Sequence, residues 1–131
     1  MLKLAELDEI AKARLTDAEV LLDAERYDGA VYLCGYAVEI ALKARICRTL
    51  SWLGYPSTRG EFQNLQSFKT HSLDVLLGLS GIERKIKTDY LAQWSAIAAW
   101  DPEARYNPIG SVKPEDARLM IESAKTLLGA L

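Results

Sequence analysis

The stretch AVYLCGYAVEIALKARICRTLSW, which runs from Ala30 to about Trp52, decides the fold of this chain. Its period predicts a helix that is apolar nearly all round, with Glu39 as the one acidic residue. Such a helix either lies at the centre of a bundle or gives one side to a partner chain. The apolar positions are Val31, Leu33, Cys34, Ala37, Val38, Ile40, Ala41, Leu42, Ala44 and Ile46.

A second helix is predicted before it, from Met1 to Ala24, and this one is amphipathic. Its apolar positions step by three and four residues: Leu4, Leu7, Ala11, Leu15, Ala18 and Leu22. The intervening segment contains Asp28, which we predict to be the N-cap of the central helix, and Gly29, which suits a tight turn. Because the connection is short, the two helices should be antiparallel neighbours.

The rest of the chain predicts three further helices. Glycine and proline make the stretch from Gly54 to Lys69 irregular. A short helix should begin at Thr70 as its N-cap, and a longer one should run from Ile82 to Trp100. The last helix should open at Pro114 and end near Leu128. With no β-alternation in competition, we predict one all-α domain over residues 1–131, an up-down four-helix bundle with an additional short helix.

Composition narrows the class of protein. The 131 residues are 50% hydrophobic, and 16 Lys and Arg stand against 18 Asp and Glu, so neither disorder nor a polycation is indicated. Cys34 and Cys47 fall in the central apolar pattern and are expected to be buried, reduced thiols. No leader-like segment or apolar run of about 18 residues is present, so we expect a cytoplasmic location and no membrane association.

Glu39 and Lys43 are the first candidate site residues. They are four positions apart and therefore share one side of the apolar helix. A charge in such a place must be paired or neutralised. The pair is either an internal ion pair that fixes packing or a polar spot that lines a ligand cleft.

The second candidate is His71, the only histidine of the chain, at a predicted helix start. Its unperturbed pKa lies near neutrality, so it could bind an anion at the helix start, but a packing and capping role is the favoured interpretation. The third is the pair Arg105 and Tyr106, in a loop flanked by prolines. This pair can clamp a phosphate and stack on a base, or it can seal the end of the bundle.

Together, these segments resemble the HEPN domain family over nearly the whole chain. The first part is Asp17-Ala18 with Leu21-Leu22, then Tyr27 and Ala30, then the run from Gly35 to Ala44, which contains Glu39 and Lys43. The later parts are Thr70-His71-Ser72-Leu73 with Leu76-Leu77, and the segment from Trp100 to Tyr106 before the last helix.

The resemblance implies a helical bundle that commonly dimerises. Many HEPN proteins are metal-independent ribonucleases, often the toxins of toxin–antitoxin pairs, and others are small stand-alone or nucleotidyltransferase-associated proteins. The ribonucleases carry an arginine followed, after four to six intervening residues, by a histidine. Here the corresponding arginine would be Arg105, and the possible histidine positions hold Gly110, Ser111 and Val112. The usual general acid or base is therefore missing.

Three hypotheses follow. The leading one is a non-catalytic HEPN homodimer that binds a nucleotide, an RNA or a partner protein near Glu39, Lys43, Arg105 and Tyr106. The alternative is a metal-independent ribonuclease toxin that uses Arg105 with His71. The third is a structural partner of a separate nucleotidyltransferase or antitoxin chain. None of them requires a metal or a cofactor.

Two observations predict the homodimer. One is the apolar central helix, which could give one side to a second copy. The other is the set of large aromatic residues Tyr90, Trp94 and Trp100, which could exceed the needs of a small core. Simple filling of the core would explain the aromatic residues equally well.

Overall fold

The computed structural model describes residues 1–131 and confirms the all-α class. Six α-helices form the domain: α1 Leu4–Asp23, α2 Tyr27–Leu50, α3 Leu73–Leu79, α4 Glu83–Asp89, α5 Leu91–Ile97 and α6 Pro114–Ala130. Two 3-10 helices, Gln66–Phe68 and Pro102–Tyr106, lie in the connections. None of the helices combines the length and the apolar character needed to cross a membrane.

Helix α2 is the centre of the bundle, as its apolar sequence predicts. Helices α1, α3 and α6 all pack against it. Small residues such as Ala37 and Ala44 are completely buried where these helices approach closely, and Leu42 and Ile46 fill the core between them. The close fit follows from the sequence, because alanine and glycine let helix axes come near each other.

The cysteines are buried and unpaired, which confirms the expectation for both of them. Burial raises the pKa of Cys34 to about 12 and also raises the pKa of Cys47. The two thiols are therefore protonated at neutral pH and behave as small apolar side chains.

The single helix predicted from Ile82 to Trp100 is wrong, because the chain forms two short helices there. Tyr90, with φ −133° and ψ 32°, ends α4 and precedes α5. The change of direction lets Ile86 of α4 and Trp94 of α5 both enter the core. The segment beyond Ile97 is no longer α-helical, and Asp101 instead caps the 3-10 helix by accepting a hydrogen bond from the Glu103 amide at 2.6 Å.

The predicted N-cap at Asp28 is also wrong, since α2 already begins at Tyr27. The Asp28 carboxylate instead accepts hydrogen bonds from the backbone amides of Gly110, at 2.6 Å, and Val112, at 3.1 Å. A side chain at the start of α2 thus fixes the loop that connects the second 3-10 helix to α6.

The cap of α3 is displaced from the predicted residue as well. Ser72, rather than Thr70, accepts the hydrogen bond from the Val75 amide, at 3.3 Å. The Thr70 hydroxyl accepts from the Ser72 amide at 3.0 Å and so orders the turn before the helix. His71, between the two, is held in a defined place.

A two-stranded sheet is present that the sequence did not predict. Strand β1, Leu2–Lys3, pairs antiparallel with β2, Gly54–Tyr55, so α1 begins at Leu4 rather than at Met1. Tyr55 is completely buried, and its hydroxyl donates to the Phe68 carbonyl oxygen at 2.6 Å. The irregular segment between α2 and α3 is therefore anchored to the bundle at both ends.

Substitution of Gly35 tests the packing of α2 against Trp100. A Cβ atom at Gly35 would lie about 2.0 Å from the Trp100 indole, which is itself buried. We expect Gly35→Ala to cost about 1–3 kcal/mol of unfolding free energy through overpacking, measured by urea denaturation. Gly129→Ala in α6 is the matched control, because nothing lies within 4 Å of its Cβ and alanine favours a helix. Equal stability of the two variants would contradict this account of the packing.

Candidate functional site

Glu39 is the only charged residue among the buried ones, with 3% of its surface exposed. Both of its oxygens have a partner. Oε2 lies 3.3 Å from Lys43 Nζ, and Oε1 lies 2.8 Å from His71 Nδ1. The structure thus brings together three of the residues that the sequence singled out.

The surroundings of Lys43 and His71 differ. Lys43 is largely buried, and its ammonium group lies 5.2 Å from the centroid of the Tyr55 ring, in a cation–π contact. His71 has 62% of its side chain exposed. Because Nδ1 faces the carboxylate, Nε2 is the ring nitrogen left for a ligand on the solvent side.

Arg105 and Tyr106 form a second, separate group on the 3-10 helix Pro102–Tyr106. The Arg105 guanidinium lies 4.7 Å from the centroid of the Tyr106 ring and donates to the Pro102 carbonyl oxygen at 3.0 Å. The pKa of Arg105 is raised, first by Tyr106 and further by Glu103 and Tyr32. Neither Arg105 nor Tyr106 forms a hydrogen bond or ion pair with the Glu39 group.

A line of polar side chains along α2 runs between the two groups. We call Tyr32, Tyr36, Glu39 and Lys43 the α2 stripe; their spacing of four, three and four residues places them on one side of the helix. At 1.5 Å per residue the stripe is about 16 Å long. Its Tyr32 end shares a cavity of about 290 Å³ with Arg105, and Glu39, near its Lys43 end, contacts His71.

The electrostatics of Tyr36 reflect both groups. Burial is the first cause that raises its pKa to about 12, and the neighbouring Tyr32 hydroxyl is the next. The Glu39 carboxylate raises the pKa further, whereas the Arg105 cation lowers it. The rings of Tyr32 and Tyr36 meet edge to face at 5.2 Å, and Tyr36 meets Trp100 in the same way at 5.0 Å.

The two tyrosines of the α2 stripe are not among the candidate residues predicted from the sequence. The prediction of a helix without a polar side is wrong, because Tyr32, Tyr36 and Lys43 are all partly exposed. The signal was present in the spacing, because the aromatic and charged residues of this helix recur at helical intervals. No group of three His, Cys, Asp or Glu side chains lies close enough to hold a metal ion.

Comparison with known proteins supports the predicted resemblance. Residues 4–60 match the family model of the HEPN domain. This region includes α1, α2 and β2, and therefore the whole α2 stripe, whereas His71 and Arg105 lie outside it. The chain has no match among the curated proteins or the solved structures.

The pairing of Glu39 with Lys43 is tested by a double-mutant cycle. Glu39→Gln leaves the largely buried Lys43 cation without its carboxylate and should cost about 3 kcal/mol of unfolding free energy. Combined with Lys43→Met, the loss should be smaller than the sum of the two single losses, by about 1 kcal/mol or more. Urea denaturation of the four proteins measures both quantities.

The exposed pair of Glu83 and Lys87 provides the control. It has the same spacing, with 3.9 Å between the charged atoms and about half of each side chain exposed. Glu83→Gln should change the unfolding free energy by less than about 0.5 kcal/mol. Equal losses of unfolding free energy in Glu39→Gln and Glu83→Gln would show that burial of the carboxylate does not determine its contribution to stability.

Proposed function

Because residues 4–60 belong to the HEPN domain family, we propose that this protein is a non-catalytic module that binds single-stranded RNA along the α2 stripe. The main support for this proposal is the position of the candidate residues along the stripe. Arg105 lies beside its Tyr32 end, and the Glu39–His71 pair lies near its Lys43 end. Candidate residues that are distant in sequence thus lie beside one line of side chains on the central helix.

The chemistry along this line suits RNA. The Arg105 guanidinium offers a planar fork of N–H donors to a phosphate, and Tyr106, 72% exposed, offers a ring on which a base can stack. The Nε2 edge of His71, as a donor when the ring is protonated, can meet a further phosphate about 10 Å or more along the stripe. Aromatic rings alternating with cations are characteristic of surfaces that bind single strands.

The proposal of a non-catalytic protein rests on the residues that follow Arg105. At the spacing where ribonucleases of the family carry histidine, this chain has Gly110, Ser111 and Val112. The backbone amides of Gly110 and Val112 are bound to Asp28, and none of the three side chains can act as a general acid or base near neutral pH. His71 makes no contact with Arg105 that would replace the missing group.

One observation favours the alternative, a metal-independent ribonuclease toxin. The Glu39 carboxylate orients the His71 ring at 2.8 Å and leaves Nε2 toward solvent, as a general base requires. Such an enzyme would need Arg105 and His71 to act on the same phosphodiester. Removal of either residue would then abolish cleavage.

We further propose that the protein forms a homodimer. For a different protein partner, the HEPN match supports a separate nucleotidyltransferase or antitoxin chain. The predicted excess of aromatic residues does not support the dimer, because Trp94 and Trp100 are only 4% and 7% exposed and fill the core of one chain. The support comes from α2, where Leu33 and Ile40 remain partly exposed beside the stripe.

Light scattering at micromolar concentration should give twice the mass of a single chain. Ile40→Lys should yield a monomer that keeps its helical circular dichroism, because a charge at the contact opposes association. Leu119→Lys, at a 55% exposed position of α6, should remain dimeric. If the unsubstituted protein has the mass of a single chain, the proposed homodimer is wrong.

Binding to a labelled single-stranded RNA, followed by fluorescence anisotropy, tests the proposed function. Arg105→Ala should weaken binding about tenfold, the effect of a lost charged hydrogen bond. The negative slope of log K against log salt should also become less steep by about 0.7, as expected for one lost phosphate contact. The same RNA should remain intact on a denaturing gel.

Arg118→Ala removes an equally exposed arginine from α6 and serves as the matched control. Equal weakening by the two variants, or no binding at low salt, would contradict the proposed RNA surface. Cleavage that is lost in both Arg105→Ala and His71→Ala would instead establish the ribonuclease.

A further inference from the structure

A second cavity, of about 300 Å³, lies between α2, α5, α6 and the 3-10 helix Pro102–Tyr106. No residue of the α2 stripe lines it, and neither do Arg105, Tyr106 or His71. Three residues border both this cavity and the one beside Arg105: Val31, Ala104 and Asn107. Seven of its ten lining residues are apolar, and its volume falls at the lower end of the range of pockets that hold small molecules.

The apolar wall of this cavity belongs to the core and is held in place. Ile97, Trp100 and Met120 line the cavity and are only 1%, 7% and 6% exposed. Trp100 is also fixed by its edge-to-face contact with Tyr36, at 5.0 Å between ring centroids, and by its close packing on Gly35. Because the core already orders these side chains, the apolar body of a ligand can bind against them with little loss of conformational freedom.

The polar side chains of the cavity carry negative charge. They are Asp101, Glu103 and Asn107, and all three are exposed, so they lie on its solvent side. The Asp101 carboxylate accepts the Glu103 amide at 2.6 Å and forms no ion pair. Glu103 does have Arg105 as a partner, but the charged atoms are 3.9 Å apart and the Glu103 side chain is 73% exposed, so its charge is compensated only in part.

The cavity is therefore apolar toward the core and negative toward solvent. None of its lining residues is positively charged. A ligand that joins an apolar body to a cationic group satisfies both regions at once. The same carboxylates repel phosphate, so an RNA backbone does not fit this cavity.

We propose that this cavity binds a small organic cation, a primary amine with an apolar body. The body would lie against Trp100 and Met120, and the ammonium group would lie at the carboxylates of Asp101 and Glu103. An alcohol of the same shape would leave both carboxylates without a counter-charge, and a very small amine would leave the apolar wall unused. The site does not rest on the RNA surface proposed above.

Calorimetric titration with phenethylamine, 2-phenylethanol and methylamine tests the charge and the apolar wall separately. Phenethylamine should bind more tightly than the other two, because it alone combines both groups. Asp101→Asn should weaken phenethylamine about tenfold and leave 2-phenylethanol unchanged, because one charged contact is lost while the oxygen that caps the 3-10 helix is kept. Asp89→Asn, at an exposed position of α4, is the matched control and should have no effect.

Ala96→Leu tests whether the ligand occupies the cavity. Ala96 lines it from α5, and leucine there fills part of the space and keeps a residue that favours a helix. Saturable binding of phenethylamine and of 2-phenylethanol should both be lost. Ala92→Leu, one helical turn earlier at an exposed position outside the cavity, should bind both ligands as the unsubstituted protein does.

Absence of saturable phenethylamine binding, equal affinity for phenethylamine and 2-phenylethanol, or equal losses in Asp101→Asn and Asp89→Asn would overturn the proposal. If Asp101→Asn does not fold, Glu103→Gln provides the same test with a smaller expected loss, because Arg105 already compensates part of that charge. Arg105→Ala should leave phenethylamine binding intact or make it tighter, since it removes a competing cation. Amine binding by a protein that binds no RNA would overturn only the function proposed above.

Discussion

The fold has to accommodate one carboxylate in the middle of its central helix. Glu39 lies where α2 is otherwise apolar, and an unpaired charge there would cost several kcal/mol. Lys43, one turn further along, supplies part of the compensation from the same helix. His71, at the start of α3, supplies the rest. The need to pair the Glu39 carboxylate therefore connects α2 to α3. The turn that carries the imidazole is ordered by hydrogen bonds of Thr70 and Ser72 on either side of it.

The candidate surface combines positions of opposite character. Glu39 and Lys43 are fixed by packing, whereas Arg105 and Tyr106 are exposed and contact mainly each other. Tyr32 and Tyr36 lie between them, with Trp100 supporting Tyr36 from inside the bundle. Such a surface has one ordered end and one adaptable end, a combination suited to a ligand that is itself flexible.

Sequence patterns could predict the parts that depend on helical periodicity. The central position of α2, its antiparallel partner α1 and the pairing of Glu39 with Lys43 all follow from residues three or four positions apart. The break at Tyr90 could not be predicted in this way, because it serves the burial of Ile86 and Trp94 against helices distant in sequence. The same holds for the meeting of His71 with Glu39, and for Asp28, whose partners lie more than 80 residues away. Tyr32 and Tyr36 differ from these residues. Their helical spacing can be recognised in the sequence, but their partial exposure to solvent can be seen only in the structure.

Asp28 holds the loop before α6 through hydrogen bonds from backbone N–H groups, and no side chain of that loop takes part. Ser111 lies between the two bonded residues, and its own side chain contributes nothing to that attachment. The Ser111 hydroxyl donates instead to the Pro108 carbonyl oxygen, so the side chain at position 111 acts within the loop and not on its attachment to α2. A substitution at position 111 would therefore remove one hydrogen bond inside the loop and leave the two bonds to Asp28 in place.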